Sequence, residues 1–416
     1  MERCVTPSQV RGTITAPASK SMTQRAIAAA ILADGETIIL NPSYCNDSIA
    51  AMGIARGLGA KVEVSGDKLR ISGCGELKEK TLNCGESGLA IRMFSPVAAL
   101  CSGETTITGS GSLKNRPMFM IGDALKQLGV EFTSTNGYLP LTIKGPLQGG
   151  SCEIDGSISS QLLTGLLMAL PVAFSDSQIK VRNLKSKPYI DMTLGILRDF
   201  GIEINNDNYE LFTVRGGQQY MACTYGIESD WSGGAFLLVA GAIGGSLTVR
   251  GLRINSPQSD KSIIEALKSA GAGINISEEQ VEITKSRLKA FNFDATESPD
   301  LFPPLVALAS YCSGKSRIRG ASRLRHKESD RAVALIEEFA SMNITVEHKD
   351  DFLIVTGGEL RGGNVDSHGD HRIAMATAVA ALGAKGRTCI KDSGCVAKSY
   401  PGFFDDLRKI GAEISD

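Results

Sequence analysis

The sequence predicts an α/β protein assembled from six copies of one unit, and three observations support that prediction. An amphipathic helix that ends in a turn with Gly or Asn recurs six times, at intervals of roughly 70 residues. A strand of alternating apolar and polar residues follows these helices. Each copy also contains a second, more apolar helix, followed by a glycine-rich turn and a strand. The predicted unit is strand–helix–strand–helix–strand with extra strands; three copies occupy roughly residues 19–228 and three occupy 229–416.

The turns after the amphipathic helices define the repeat. Gly is common just beyond a helix C-terminus because it adopts the left-handed backbone conformation without a Cβ clash, and Asn is its usual substitute. The six turns are Leu58-Gly59-Ala60, Leu128-Gly129-Val130, Phe200-Gly201-Ile202, Ala270-Gly271-Ala272, Met342-Asn343-Ile344 and Ile410-Gly411-Ala412.

The second helices are apolar on nearly all sides, which predicts that they are buried at the centre of a lobe. They cover residues 26–33, 97–101, 162–174, 235–243, 305–312 and 373–382.

The N-termini of these second helices carry the residues that indicate function. A helix N-terminus offers free N–H groups and the positive end of a dipole, which suits an anion. Helix capping explains the Ser and Asp residues there, whereas cations at that end oppose the dipole and need a counter-anion, for which a ligand is the simplest source. We therefore expect the six ends to converge on one anion-binding cleft. They are Ser19-Lys20-Ser21 with Arg25, Glu86-Ser87-Gly88 with Arg92, Ser159-Ser160-Gln161, Asp230-Trp231-Ser232, Pro299-Asp300 and Asp370-His371-Arg372.

One charged stretch, His326-Lys327-Glu328-Ser329-Asp330-Arg331, precedes an apolar helix. Lys327 and Arg331 are four residues apart, so on a helix they would share one face. Such a stretch suits a polyanionic ligand that must also exchange a proton, because the cations can bind the anion while the carboxylate of Glu328 transfers the proton. Considered alone, the stretch is equally typical of a solvated charged turn.

Composition limits the class of protein. The chain has 416 residues, a net charge of -1 and 42% hydrophobic residues, which is typical of a globular protein of two or more domains and argues against nucleic-acid binding. The first residues, 1–7, lack the apolar core of a signal peptide, and the longest apolar run, residues 235–243, is too short to span a bilayer, so we expect a cytoplasmic protein. Its 10 Cys are scattered without a C-x-x-C pair, and we expect them to be reduced thiols.

Seven stretches together resemble the 5-enolpyruvylshikimate-3-phosphate (EPSP) synthase family, and the resemblance covers the whole chain. It implies a two-lobed inside-out α/β prism of six βαβαββ repeats, three per lobe, with helices inside and sheets outside. Since the N-terminal strand belongs with the C-terminal lobe, lobe I would comprise residues 1–18 and 229–416, and lobe II residues 19–228. The stretches are Pro17-Ala18-Ser19-Lys20-Ser21 with Arg25, Arg116-Pro117-Met118, Asp155-Gly156-Ser157-Ile158-Ser159-Ser160-Gln161, Ser186-Lys187-Pro188-Tyr189-Ile190-Asp191, Lys327-Glu328-Ser329-Asp330-Arg331, Gly369-Asp370-His371-Arg372-Ile373-Ala374-Met375 and Lys398-Ser399-Tyr400-Pro401.

The resemblance implies transfer of the enolpyruvyl group of phosphoenolpyruvate to the 5-hydroxyl of shikimate 3-phosphate, with release of phosphate, in the shikimate pathway to chorismate and the aromatic amino acids. The mechanism would be addition followed by elimination through a tetrahedral intermediate, without a metal, a cofactor or a covalent enzyme adduct. We expect a monomer whose partners are these two small substrates, with no nucleic acid or membrane partner. We also expect the substrates to draw the lobes together.

The resemblance also implies residue roles. Asp300 would be the base at the 5-hydroxyl and Glu328 would serve the methylene carbon, with Lys20 as a further catalytic group. The residues that would bind shikimate 3-phosphate are Lys20, Ser21, Arg25, Ser159, Ser160, Gln161, Ser186, Asp300 and Lys327. Those that would bind phosphoenolpyruvate are Lys20, Gly88, Arg116, Gln161, Arg331, Arg372 and Lys398.

Two departures from the family pattern bear on the site. Glu86 and Leu89 stand in Glu86-Ser87-Gly88-Leu89-Ala90-Ile91-Arg92, where the family commonly has Asn-Ala-Gly-Thr-Ala-Met-Arg. Glu86 would repel an anion unless it pairs, for example with Arg92 or Lys114. We therefore expect weaker inhibition by glyphosate, which occupies the phosphoenolpyruvate site in this family. Arg323 stands where several members have Asn near the shikimate ring, and that role is not carried over.

Three alternatives remain open from sequence. UDP-N-acetylglucosamine enolpyruvyl transferase has the same six-unit fold, although the Ser-Ser-Gln and Lys-Glu-Ser-Asp-Arg runs favour the shikimate enzyme. A non-catalytic anion-binding relative is the second alternative. The third is a metal site at Asp366, His368, Asp370 and His371, which we rank below a capped, anion-binding helix start.

Overall fold

The computed structural model describes residues 1–78, 80–157, 159–325 and 327–416. Ile158 and His326, which stand inside two of the stretches quoted above, lie outside the described residues. The chain forms two compact units: lobe I comprises Met1–Pro17 and Glu228–Asp416, and lobe II comprises Ala18–Ile227. These boundaries fall one residue before the expected ones.

Helices account for the interior of each lobe. The described residues contain twelve α-helices: α1 (Lys20–Leu32), α2 (Asn46–Gly57), α3 (Gly88–Ala98), α4 (Phe119–Gln127), α5 (Gln161–Ala169), α6 (Lys187–Asp199), α7 (Trp231–Gly244), α8 (Ile263–Ser269), α9 (Phe302–Ser310), α10 (Arg331–Ser341), α11 (His371–Ala381) and α12 (Phe403–Lys409).

The even-numbered helices are the amphipathic ones, and the predicted turns after them are confirmed. In every case the Gly or Asn has positive φ: Gly59 (106°), Gly129 (78°), Gly201 (80°), Gly271 (80°), Asn343 (66°) and Gly411 (105°). The left-handed residue lets the chain leave the helix and enter the following strand.

The odd-numbered helices are the buried ones, as their composition predicts. All residues of α7, α9 and α11 are buried. Two predicted helices had the wrong bounds. The helix expected at residues 97–101 is α3, which begins at Gly88 and ends at Ala98. The helix expected to continue to Phe174 ends at Ala169, because Pro171 lacks the N–H that would extend the ladder, and the chain continues as a 3-10 turn. The longest helix in the described part of the chain has 14 residues, and no helix there is both long and apolar enough to cross a membrane.

The strands are short. The described residues contain β1 (Glu2–Thr6), β2 (Val10–Thr15), β3 (Ala33–Asp34), β4 (Glu36–Leu40), β5 (Lys61–Ser65), β6 (Lys68–Ser72), β7 (Thr81–Asn83), β8 (Glu104–Thr108), β9 (Glu131–Thr135), β10 (Tyr138–Lys144), β11 (Gly150–Asp155), β12 (Ser177–Arg182), β13 (Ile204–Asp207), β14 (Leu211–Val214), β15 (Tyr220–Met221), β16 (Thr224–Gly226), β17 (Gly245–Arg250), β18 (Gly273–Ile276), β19 (Gln280–Thr284), β20 (Asn292–Asp294), β21 (Lys315–Arg319), β22 (Thr345–Lys349), β23 (Phe352–Thr356), β24 (Asn364–Asp366), β25 (Thr388–Lys391) and β26 (Glu413–Ser415).

Each lobe has three four-stranded sheets with one shared pairing pattern. In lobe II their strand orders are β16-β4-β6-β5, β7-β8-β10-β9 and β11-β12-β14-β13. In lobe I they are β18-β19-β17-β2, β20-β21-β23-β22 and β24-β25-β1-β26. Within the described residues, each of these four-stranded sheets contains one parallel pair, such as β7 with β8, and two antiparallel pairs, and β3 and β15 form a further two-stranded parallel sheet. Strands such as β12 alternate buried and exposed residues, so one face packs on the helices and the other faces solvent.

The first two strands belong to lobe I, as the family resemblance implied. β1 pairs with β25 and β26, and β2 pairs in parallel with β17. The chain then enters lobe II at Ala18 and returns to lobe I at Glu228, so it crosses between the lobes twice.

The prediction that all cysteines are reduced was wrong for one pair. Cys4 and Cys389 are register partners on β1 and β25, and they form a disulfide. They are 385 residues apart in the sequence, so no local spacing could reveal the pair. The remaining cysteines carry free thiols.

Two glycines in lobe II provide a matched test of this backbone analysis. Gly129 has a φ of 78° and Gly195 lies inside α6, and a Cβ at either position would meet nothing within 4 Å. Gly129→Ala should therefore lower the free energy of unfolding by about 1 kcal/mol through backbone strain alone, whereas Gly195→Ala should raise it by about the same amount. Thermal melting followed by circular dichroism measures both. Shifts of the same sign would contradict the assigned conformations.

Candidate active site

Arg25 lies at the centre of a candidate anion-binding site in lobe II. The residue is 1% exposed on α1, and its guanidinium donates to Thr193 Oγ1 at 2.9 Å, to Thr164 Oγ1 at 3.3 Å and to the Ser21 carbonyl at 3.0 Å. These acceptors are uncharged oxygens, and burial lowers the pKa of Arg25 to about 10. A buried cation that is held only by neutral acceptors favours an incoming anion. Ser21, the next candidate, lies one turn earlier on the same helix.

Two further guanidiniums lie over Gly88, the first residue of α3. A Cβ on Gly88 would stand 2.7 Å from Nη1 of Arg116 and 3.0 Å from Nη1 of Arg92. Arg92 donates to Gln161 Oε1 at 2.9 Å, and so links α3 to the start of α5. Ser87 donates to Gln24 Oε1 at 3.0 Å, which links the start of α3 to α1. The N-termini of α1, α3 and α5 therefore meet at one end of lobe II.

Three predicted serines lie at the starts of α5 and α6. Ser159 Oγ accepts from the Gln161 N–H at 3.1 Å, Ser160 is buried, and Ser186 has a φ of 59° just before Lys187 opens α6. Hydroxyls and free N–H groups at a helix start suit a phosphate.

Lys20 has a partner that the sequence analysis missed. Its ammonium lies 2.9 Å from Oδ2 of Asp47, a buried acid in the first turn of α2. A cation at the start of α1 therefore receives a counter-charge from the protein itself, and the inference that a ligand must supply it was too strong for this residue.

Glu86 packs against the turn that precedes Arg116. A Cβ on Gly111 would stand 2.3 Å from the carboxyl carbon of Glu86, so the acid packs on the backbone of the 3-10 turn Gly111–Asn115, which Arg116 follows. Leu89 is buried in the core of lobe II. Of the residues that depart from the family pattern near Gly88, Glu86 thus packs on the turn before Arg116 and Leu89 packs in the core of lobe II.

In lobe I, Asp300 is surrounded by three cations. Its Oδ1 accepts from Lys327 Nζ at 3.3 Å and Arg331 Nη1 at 3.0 Å, and its Oδ2 accepts from Arg372 Nη2 at 3.0 Å. Burial opposes the charge of Asp300, but Arg372, Lys327 and Arg331 hold its pKa well below the usual range. Burial, aided by Arg331 and Arg323, lowers the pKa of Lys327 to about 8, although Asp300 opposes that shift.

Arg331 is the hub of this cluster. Its fully buried side chain contacts three carboxylates: Asp370 through Nε at 2.9 Å, Asp300 through Nη1 at 3.0 Å and Glu328 through Nη2 at 2.7 Å. Burial works against its charge, but Asp370, Glu328 and Asp300 together raise its pKa. A substrate anion would have to compete with these carboxylates for Arg331.

Asp370 connects the hub to α11. It is fully buried, its Oδ1 accepts from the Arg372 N–H at 2.9 Å as the helix cap, and its Oδ2 accepts from Ser329 Oγ at 3.2 Å. One carboxylate thereby fixes both the start of α11, which carries Arg372, and the guanidinium of Arg331.

The prediction that Lys327 and Arg331 share a helix face was wrong. α10 begins only at Arg331, with Asp330 as its cap, so Lys327 and Glu328 precede the helix. Lys327 and Arg331 meet because both reach Asp300. Glu328 lies 4.0 Å from Nζ of Lys398, which is itself buried.

The residues of the proposed metal alternative have other partners. Asp366 pairs with Lys391 at 2.9 Å, His368 Nε2 lies 2.6 Å from Oε1 of Glu338, and Asp370 binds Arg331. Within the described residues these four do not form one group of metal-ligating atoms.

Comparison with known proteins decides the family. The family model described as EPSP synthase (3-phosphoshikimate 1-carboxyvinyltransferase) matches residues 5–407. The chain belongs to the EPSP synthase family. Curated proteins named 3-phosphoshikimate 1-carboxyvinyltransferase are similar over their whole length: that of Methanocorpusculum labreanum is 41% identical and covers 100% of both chains, and one from Clostridium perfringens is 39% identical over 98% of this chain and 97% of its own.

Solved structures agree with the EPSP synthase fold. The EPSP synthase of Acinetobacter baumannii has a TM-score of 0.83 at 27% identity and covers 100% of both chains. The enolpyruvyl transferase NikO from Streptomyces tendae, at 18% identity and a TM-score of 0.80 over 100% of this chain and 98% of its own, shares the fold. The predicted two-lobed α/β class is therefore confirmed.

Several residues that shape this EPSP synthase family site carried no sequence signal. Thr164 and Thr193, which hold Arg25, lie inside the apolar helix α5 and on the buried face of the amphipathic helix α6, and Asp47 lies far from any quoted stretch. Asp370 stood inside a motif, but its contact with Arg331 joins residues 39 positions apart.

Because Arg331 is buried among carboxylates, substitution of its partner Asp370 should destabilise the protein more than substitution of an exposed Asp. Asp370→Asn should lower the free energy of unfolding of lobe I by about 3 kcal/mol, because it leaves Arg331 buried with one carboxylate fewer. The exposed Asp405, which pairs with Arg408 at 3.0 Å, is the control, and Asp405→Asn should change that free energy by less than ~0.5 kcal/mol. Urea unfolding monitored through the fluorescence of the buried Trp231 in lobe I measures both. Equal losses would contradict the hub role of Asp370.

Proposed function

We propose that this protein transfers the enolpyruvyl group of phosphoenolpyruvate to the 5-hydroxyl of shikimate 3-phosphate and releases phosphate. Membership of the EPSP synthase family supports this proposal. The observation that carries it for this chain is the environment of Asp300, whose carboxylate forms ion pairs with Lys327, Arg331 and Arg372. Arg331 also pairs with a second carboxylate, that of Glu328. Such a cluster combines a base with the cations that a polyanionic substrate pair requires.

The residues of lobe II are assigned to shikimate 3-phosphate. The buried cation of Arg25, with Ser21 beside it, suits the carboxylate. The serines at the starts of α5 and α6, which are Ser159, Ser160 and Ser186, suit the phosphate, and Lys327 of lobe I would add a charge to that group. Gln161, already oriented by Arg92, would reach both substrates.

The cations assigned to phosphoenolpyruvate are Lys20, Arg116, Arg331, Arg372 and Lys398. Because Gly88 has no Cβ, the guanidiniums of Arg116 and Arg92 can lie close to its Cα at the start of α3, where an anion would bind. Both substrates carry a phosphate and a carboxylate, so this density of cations offsets the repulsion between them.

Substrate binding would activate Asp300. In the free protein three cations stabilise the carboxylate and make it a weak base. When the substrate anions attract Lys327 and Arg372, those ion pairs weaken and the proton affinity of Asp300 rises. The base then becomes effective only when its substrates are bound, and it takes the proton of the 5-hydroxyl as that oxygen attacks the central carbon of phosphoenolpyruvate.

Glu328 would move the second proton. Addition requires a proton on the methylene carbon, and elimination removes one from the methyl group that results. Arg331 binds Glu328 at 2.7 Å and so fixes its direction, while Lys398 lies 4.0 Å from its other oxygen. Lys20, held by Asp47, is the further catalytic candidate.

The direct test is phosphate release from phosphoenolpyruvate by the purified protein with and without shikimate 3-phosphate. Release that depends on shikimate 3-phosphate supports the proposal. Release that depends on UDP-N-acetylglucosamine would favour the other enolpyruvyl transferase, and no release with either acceptor would favour the non-catalytic anion-binding relative.

The pKa of Lys327 predicts a pH dependence. The protonated amine is the form that binds phosphate, and with a pKa of about 8 it loses its charge as pH rises through that value. The kcat/KM for shikimate 3-phosphate should therefore fall above about pH 8. Lys327→Arg keeps its charge at that pH and should move the fall to higher pH. A pH profile of kcat/KM that is the same in both proteins would exclude Lys327 as its source.

Glu328→Gln should separate binding from proton transfer. The amide keeps the size of the side chain but cannot exchange a proton, so shikimate 3-phosphate should bind with similar affinity while kcat falls by roughly 10²–10⁴. Exchange of the methylene hydrogens of phosphoenolpyruvate with solvent deuterium, in the presence of shikimate 3-phosphate, should also stop. Exchange at the wild-type rate would assign this step to another group, with Lys20 the next to test.

A further inference from the structure

Asp260 is a buried acid of lobe I that has no part in the roles assigned above. It lies in the 3-10 turn Ser259–Ser262, just before α8, and is 1% exposed. Its carboxylate accepts hydrogen bonds from two hydroxyls, Ser232 Oγ on Oδ2 and Ser259 Oγ on Oδ1. Within the described part of the chain it forms no ion pair.

This environment differs from that of two other buried acids, Asp47 and Asp370. Asp47 pairs with Lys20 at 2.9 Å and Asp370 pairs with Arg331 at 2.9 Å. An ionised carboxylate in the protein interior is costly unless a cation or several donors compensate it. The two hydroxyls and the charge of Arg372 compensate Asp260 only in part, so the burial of this acid calls for a functional explanation.

Hydrogen bonds hold Asp260 beside the segment that carries Asp300. Ser262 Oγ lies 3.2 Å from Ser298 Oγ, which joins the turn of Asp260 to the residue two positions before Asp300. On the other side, Gln258 accepts from the Trp231 N–H at 3.0 Å and donates to the Ser229 carbonyl at 2.8 Å. The position of Asp260 relative to α7 and to Asp300 is therefore fixed.

The charged groups that face Asp260 are Asp300, Asp230 and Arg372. Burial, and then the charge of Asp300, raise the pKa of Asp260 to about 6; Asp230 adds to this shift, and Arg372 and the Ser232 hydroxyl oppose it. An interaction between two titrating groups is mutual, so an ionised Asp260 also raises the proton affinity of Asp300. Its effect on Asp300 is opposite to that of Lys327, Arg331 and Arg372.

We propose that Asp260 is a positioning residue for the transfer reaction: its fixed negative charge offsets the cations around Asp300, so that Asp300 can accept the proton of the attacking hydroxyl. The inference rests on the proposed function. The oxygen–hydrogen bond of the hydroxyl breaks, its oxygen bonds to the central carbon of phosphoenolpyruvate, and the proton moves to Asp300. Asp260 makes and breaks no bond and acts only through Asp300.

The test compares kcat and KM, between about pH 5 and 9, for the wild-type protein and four variants. Asp260→Asn removes the charge but keeps an oxygen that accepts from Ser232. Ser232→Ala keeps the charge but removes a hydrogen bond. Asp300→Asn and the double variant Asp260→Asn/Asp300→Asn establish whether Asp260 acts through Asp300.

Asp260→Asn should lower kcat on the order of tenfold, the change that about one pKa unit in Asp300 would give, with each KM within about twofold of wild type. The acid limb of the wild-type kcat profile should reflect protonation of Asp260, which removes its charge, so in Asp260→Asn that limb should be replaced by one at the lower pH at which Asp300 itself protonates. In Ser232→Ala the same limb should move to higher pH, because a carboxylate that loses a donor binds its proton more tightly. In the Asp300→Asn background, Asp260→Asn should change single-turnover rates by less than about twofold.

Three results would overturn the proposal while leaving the proposed function intact. The first is an unchanged pH profile in Asp260→Asn, and the second is that Asp260→Asn lowers the rate as much in the Asp300→Asn background as in the wild-type protein. The third is an acid limb of the kcat profile that moves to lower pH in Ser232→Ala, as it does in Asp260→Asn. Melting followed through Trp231 fluorescence identifies variants that fail to fold, and if Asp260→Asn does so, the direction of the shift in Ser232→Ala decides. An inactive wild-type protein would instead contradict the proposed function.

Discussion

The central constraint of this protein is the burial of one guanidinium among three carboxylates. Arg331 has no solvent exposure and contacts Asp370, Asp300 and Glu328, which come from three different segments of lobe I. Removing Arg331 would take away a charge that compensates these carboxylates, and removing one carboxylate would weaken the compensation of Arg331 in a low-dielectric interior. The start of α11, the turn before α9 and the stretch before α10 are therefore fixed relative to one another by the same side chain. The acid and base candidates are thus positioned by electrostatics in addition to apolar packing.

Much of the fold could be predicted from the sequence because its information is local. A left-handed Gly or Asn after each amphipathic helix and an all-apolar helix in each repeat are short-range patterns, and the six turns such as Gly129 and Asn343 have the expected conformation. The pairing of Cys4 with Cys389 and the start of α10 depend on contacts between distant segments. A pattern of i,i+4 charges at Lys327 and Arg331 suggested a helix face, whereas their shared partner Asp300 is what brings them together.

In the candidate site, too, local motifs could be recognised from the sequence, whereas contacts between distant segments could not. Family motifs identified the cations and carboxylates, but the partners that set their chemistry, such as Asp47 for Lys20 and Thr193 for Arg25, lie outside those motifs. The inference that cations at helix starts require a ligand holds best for Arg25, whose acceptors are neutral oxygens. For Arg372 the protein supplies its own carboxylate, Asp300. In lobe I the protein's own carboxylates thus occupy cations that the substrates are proposed to use.

The placement of β1 and β2 has a consequence for synthesis of the chain. Lobe II is one continuous segment, Ala18–Ile227, and all of its strands are made before the ribosome reaches the return to lobe I. β1 is made before the whole of lobe II but pairs with Thr388–Lys391 and Glu413–Ser415, which are made after it. β1 must therefore remain without its final partners while all of lobe II and most of lobe I are synthesised. Vectorial synthesis thus allows lobe II to fold first, while the sheet of β1 can be completed only after β25 and β26 have left the ribosome.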